Sequence, residues 1–199
     1  MVTDPEPKNS WILPRLDFRV DDLGHQGAEL FFRQISNPYD AMKSAVEASW
    51  KWLYGWNEGI VLDNDRNNHK QVIKPPLAVQ RVKRITLTLR PMDGVAYTFG
   101  SDDGSEKEVH FSLKHIVNSY KGDTDDKKNA RVREEILGVL THEIVHCYQY
   151  NGQGTAPGGL IEGIAEEYKW DPEEDLFLQL TNWPRETLWE AYCLDNGPG

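Results

Sequence analysis

Cysteine is scarce. Cys147 and Cys193 are the only two in 199 residues, so at most one bridge can form and the fold cannot rest on a disulfide framework. Long apolar runs are missing too: no stretch approaches the roughly eighteen uninterrupted apolar residues of a membrane helix, and the opening residues Met1–Asn9 lack the basic-then-apolar order of a secretion signal. A reducing, cytoplasmic setting is the simpler expectation; if a signal has been removed and Met1 is an added start residue, secretion is expected instead. Basic charge is also in deficit. Lys plus Arg number 22 against 32 Asp plus Glu, so 22 − 32 = −10, and a protein of this balance is poorly suited to neutralising phosphates. Nucleic acid and anionic membrane are therefore not expected partners.

What is present fits one globular unit. A chain of 199 residues buries roughly 70% of its unfolded surface on folding, and 39% apolar with 27% charged residues is ordinary for such a protein. Residues 1–10 read as a polar N-terminal tail and 11–199 as a single domain.

Along that domain, Leu16, Phe18 and Val20 alternate with polar neighbours from Arg15 to Val20, the mark of a half-buried strand. Pro38, preceded by the capping candidates Ser36 and Asn37, opens a helix carrying Ala41, Ala45, Ala48 and Trp52 to about Tyr54. Asp63–Pro76, with His69, reads as a polar loop. From Lys83, Ile85, Leu87 and Leu89 alternate until Pro91, and Asp93-Gly94 signals a turn. Val95–Phe99 and Glu108–Ser112, joined across Gly100–Lys107, read as a hairpin. Gly122–Lys128 looks like a charged loop, and a helix is expected from Ala130 to about Tyr150. Strands followed by helices, with hairpins rather than regular crossovers, predict an α+β domain with a mixed sheet of about four strands.

The last helix contains His142-Glu143-Ile144-Val145-His146. Residues four apart on a helix stand about 40° from one another around the axis, so both imidazoles reach one ion. Glu143 falls near the same face, towards its open side, where a carboxylate takes a proton from a zinc-bound water of near-neutral pKa. A catalytic zinc needs a third protein ligand, and Glu162 is the candidate. On the segment Gly159–Tyr168, Leu160, Ile161, Ile164, Ala165 and Tyr168 are expected to be buried, while Glu162 and Glu166 stand one turn apart on the other face. Glu162 then ligates, and Glu166 hydrogen-bonds a ligand histidine. The competing view makes Glu162, Glu166 and Glu167 a solvated helix face, and the histidines a structural pair. The glycine-rich link Gly152–Gly159 lets the chain reverse between the two helices. A histidine at the place of Gly152 marks another zinc class, and it is absent. Cys147 lies about 100° round from His146 and is expected in the core; His110 and His115 either line the cleft or face solvent.

Three stretches, Met92–Thr98, Glu108–His110 and above all Leu140–Ala165 (LTHEIVHCYQYNGQGTAPGGLIEGIA), resemble the basic secretory protein family, HExxH peptidases of plants with members in fungi and bacteria. The resemblance extends more loosely over about Arg15–Tyr168. It implies a zincin-like fold in which the HExxH helix and a following glutamate helix pack on the sheet, and in which the strand near Glu108–Ser112 borders a cleft where an extended peptide pairs with the edge. The chain departs from the family's name in being acidic and in showing no signal. Family members continue past the glutamate helix with a Trp-x-x-Gly-Tyr stretch, and Trp189-Glu190-Ala191-Tyr192 stands as its remnant; on that view Tyr192 donates to a developing oxyanion, while a tyrosine packed beside Leu188 is the alternative. The leading expectation is a zinc-dependent metallohydrolase acting on peptides, with Zn2+ as cofactor. The competing expectations are a zinc enzyme of a small-molecule pathway and a binding or defence protein with a vestigial site. Oligomeric state is not legible in these residues.

Overall fold

The computed structural model describes residues 11–56 and 75–167. The N-terminal tail, His69 with most of the loop around it, Tyr168, Trp189, Tyr192 and Cys193 lie outside the described residues. Among the described residues four strands form one sheet, β1 (Arg15–Val20), β2 (Arg84–Arg90), β3 (Ala96–Gly100) and β4 (Glu106–Ser112), in the order β1-β2-β4-β3. The alternation seen in the sequence decides the faces. Phe18 pairs with Leu87 and Leu87 with Val109, so Phe18, Ile85, Leu87, Leu89, Val109 and Phe111 share one face, and the β2 and β4 members of that set are fully buried beneath the helices. Removing such side chains from water is the main stabilising term of the fold, about 1.5–3 kcal/mol for each fully buried one.

Two expectations about connectivity need correction. β1 and β2 are parallel, as are β2 and β4; the chain leaves β1 through α1 (Gln26–Gln34), α2 (Pro38–Tyr54) and α3 (Leu77–Arg81) before entering β2. Only β3 and β4 form the expected antiparallel hairpin. Within it β4, not β3, takes the interior position. The burial pattern gives the reason: Val109, His110, Phe111 and Ser112 are all buried, whereas Tyr97 and Phe99 of β3 are nearly half exposed, as an edge strand tolerates. The strand that holds Glu108–Ser112 is therefore not a sheet edge; β3 and β1 are.

α2 begins and ends where the sequence places it. Asn37 accepts from the Tyr39 amide with Pro38 in the first turn, and Gly55 closes the helix at φ 67°. α4 (Leu113–Ser119) starts immediately after β4, its Ser112 hydroxyl accepting from His115 N. α5 (Asp125–Tyr148) starts earlier than Ala130: Thr124 caps it by accepting from Lys127 N, and Asp125 and Asp126 occupy the first turn, where negative charge complements the helix dipole. Of the residues read as a charged loop, 125–128 are thus its solvated first turn. At its far end Trp50 of α2 meets Trp11, Trp56 and Tyr148 with ring centroids 5.6, 5.8 and 5.9 Å away, and the Tyr54 hydroxyl donates to the Tyr148 carbonyl at 2.6 Å. This aromatic cluster anchors the last turn of α5. No helix among the described residues is long and apolar enough to cross a membrane.

Candidate metal centre

The last two turns of α5 carry His142, Glu143 and His146. Their neighbours Leu140, Ile144, Val145 and Cys147 are buried, which fixes the helix's rotation and leaves the histidines on the remaining face with side chains 15% exposed. At Gln149 the backbone turns extended. Gly152 (φ 61°) and Gly154 (φ 85°) adopt left-handed conformations in a short 3-10 turn whose Asn151 side chain accepts from Gly154 N. The chain reverses there, as the glycine content implied, and α6 (Gly158–Glu167) returns against α5.

That return brings Glu162 to the histidines. His142 Nε2 lies 3.2 Å from Glu162 Oε2, His146 Nε2 lies 3.6 Å from the same oxygen, and the two Nε2 atoms are 3.1 Å apart. One donor atom from each of the three residues falls within 4.8 Å of the others. The surroundings of the rings test whether this group suits a metal ion. His146 Nδ1 is 2.8 Å from Gln149 Oε1, an oxygen that only accepts, so Nδ1 carries the proton and Nε2 presents a lone pair. His142 Nδ1 is buried without a hydrogen bond, with Glu166 Oε2 3.5 Å away, while His142 Nε2 has the closer carboxylate, Glu162 Oε2 at 3.2 Å. Two ring nitrogens and a carboxylate oxygen thus converge within hydrogen-bonding distance, and either a ring proton or a cation among them offsets the repulsion of their lone pairs. The donor set fits a divalent metal that accepts nitrogen and oxygen ligands.

Glu143 does not stand on the open side. It is 5% exposed because β3 crosses α5 there, and Thr98 Oγ1 donates to its Oε2 at 2.6 Å while also lying 3.0 Å from its carbonyl oxygen. Burial pushes the Glu143 carboxyl above its ordinary value; the Thr98 bond and the nearby His146 pull it down, and the charge of Glu162 adds to the rise.

Of the helix expected around Glu162, Ala165 is buried and Ile161 and Ile164 are partly covered, but Leu160 is 37% exposed, being rotated about 100° from the stripe that faces α5. Glu162 and Glu166 side chains are 65% and 62% exposed, on the histidine side as expected. Cys147 is buried and its thiol is pushed up to about 12 by burial, in keeping with a core position. His110 and His115 are not part of the group: His110 sits on the opposite sheet face, between Arg90 and Glu108 and stacked on Tyr97, and His115 pairs with Glu135 at 2.8 Å. Thr98 and Gln149 were not singled out from the sequence. A single polar residue carries no periodic signal; only the position of Gln149 three after His146, one helical turn on, offered a hint.

Fold and site together define an α+β protein whose HExxH helix and following glutamate helix form a candidate metal centre. A family model described as BSP, peptidase of plants and bacteria, matches residues 13–191. The chain belongs to this family, which is the basic secretory protein family that its motifs resembled. No curated protein and no solved structure matches the chain.

Proposed function

We propose that this protein is a zinc-dependent peptidase, with His142, His146 and Glu162 as metal ligands, Glu166 supporting His142, and Glu143 as general base. The observation that carries the proposal is the convergence of three donor atoms beside a buried carboxylate in a chain of a peptidase family. A zinc ion in this group supplies Lewis acidity, acidifying water and polarising a carbonyl. The protein supplies the rest. Thr98 holds Glu143 by Oε2, which leaves Oε1 to accept a proton from the attacking water and later to return it to the leaving amine. Tyr192, outside the described residues, is the proposed donor to the developing oxyanion.

β3 suits the binding of an extended peptide. Ser112 N donates to Val95 O, and Ser101 N to Glu106 O. The alternation of antiparallel pairing then turns the backbone groups of Tyr97 and Phe99 towards β4 and those of Ala96, Thr98 and Gly100 away from it. A peptide adding to this edge would lie against the residue that holds Glu143. The test is digestion of a diverse peptide library by the zinc-loaded protein, read by mass spectrometry. Cleavage that disappears in Glu143→Gln and in the presence of a chelator is expected. No cleavage from the zinc-loaded wild type, or equal cleavage by Glu143→Gln, overturns the proposal.

A further inference from the structure

We infer that Gln149 is the positioning residue of this centre, fixing through its two amide atoms both the ring tautomer of His146 and the placement of Glu162; the inference rests on the metal site proposed above. Its geometry is self-consistent. The Gln149 Nε2 group donates to the Ile161 carbonyl at 3.0 Å, and that bond settles which end of the amide is which. Oε1 must then face His146 Nδ1, 2.8 Å away, where it selects the Nδ1–H tautomer and leaves Nε2 bare towards Glu162 and His142.

The same side chain bridges the two helices. Gln149 is the C-cap of α5, and Ile161 is the residue before Glu162 on α6. One amide therefore holds a ring of the HExxH helix in register with the backbone that delivers the third donor. Glu162 is itself 65% exposed and its helix meets α5 across a glycine-rich turn, so the Gln149 bond adds a polar tie to the packing of Ala165 right beside the third donor. His142 has a different kind of support: a carboxylate at 3.5 Å rather than a neutral amide. The two ligand histidines are thus held by unlike partners, and Gln149 alone of the two also acts on the third ligand. Outer partners of this kind typically change metal affinity by roughly 10–100-fold when removed.

Two readouts separate this role from general structural support. In metal-free protein at about pH 8.5, well above the ordinary imidazole range, two-bond proton–nitrogen spectra should show the Nδ1–H tautomer at His146, and Gln149→Leu should shift it towards Nε2–H. Zinc affinity, measured by competition with a chelating dye, should fall roughly 10–100-fold in Gln149→Leu. Gln149→Glu, which still accepts from Nδ1–H but cannot donate to Ile161, should keep the tautomer and recover at least part of the affinity. Wild-type zinc binding with a Gln149→Leu affinity within threefold, or an unchanged His146 tautomer in that variant, overturns this inference and leaves the metal site standing. A wild type that takes up no zinc overturns both.

Discussion

Replacing Thr98 by Val removes one hydroxyl and keeps a side chain that suits a strand at least as well. The hydroxyl lies 2.6 Å from Glu143 Oε2, and Glu143 is only 5% exposed, so water has little access to take over the lost bond. A hydrogen bond to a charged group contributes about 1.5–3 kcal/mol, and Thr98→Val is expected to lose that much stability when Glu143 is ionised. The loss carries a pH signature. Burial holds the Glu143 carboxyl above its ordinary value and the Thr98 bond opposes that rise; without the bond the carboxyl climbs further. A raised native pKa means that the folded state holds its proton more tightly than the unfolded chain. Stability therefore falls as pH rises through the native value, and falls further in the variant. Urea unfolding of metal-free protein should show a small deficit near pH 5 and a larger one near pH 8, with Thr98→Ser close to wild type. In a Glu143→Gln background the effect of Thr98→Val should shrink to about 1 kcal/mol, the worth of a neutral bond, and lose its pH dependence. A deficit equal at both pH values, or no recovery in Thr98→Ser, refutes the assignment.

Glu143→Gln removes a buried charge but keeps an acceptor for Thr98, so the metal-free variant should melt no lower than wild type, with an advantage that grows with pH; a lower Tm at about pH 8 would contradict the direction given for Glu143. Cys147, with its thiol pushed up to about 12, should resist iodoacetamide in the native protein near pH 8 and react after urea unfolding, as peptide mapping would show; native-state labelling speaks against its burial. Gly27 approaches α4 so closely that a Cβ there would stand 2.2 Å from the Leu113 carbonyl oxygen. Gly27→Ala should cost about 3 kcal/mol or prevent folding, and an unchanged melting curve would deny that contact.

The parts of this fold that were legible in the sequence are those with a period. β1, β2, α2 and the HExxH portion of α5 announce themselves because burial on one face repeats every two or roughly every three to four residues, and the reversal into α6 is marked by its glycines. Pairing was legible only for the β3–β4 hairpin. Alternation in β1 and β2 states which side chains face the core, not which strand lies alongside, so the parallel crossover and the interior place of β4 came only from the structure. α1 was missed because Gly24 and Gly27 resemble turn residues, whereas Gly27 lies within the helix because only glycine fits beneath Leu113. α5 was begun late because its first turns are charged and solvated. In the candidate centre, His142, His146 and Glu162 could be placed by motif and helical spacing, but the burial of Glu143 under Thr98 and the bridge through Gln149 join residues 45 and 12 positions apart, and only tertiary structure relates them.

The most direct test of the central claim is metal content. Elemental analysis of the native protein, purified without added ions and then offered zinc, should find about one zinc per chain, and His146→Ala, which removes one of three donors, should lose it. A native protein that takes up no zinc, or a His146→Ala variant that retains it in full, would contradict the assignment of this centre.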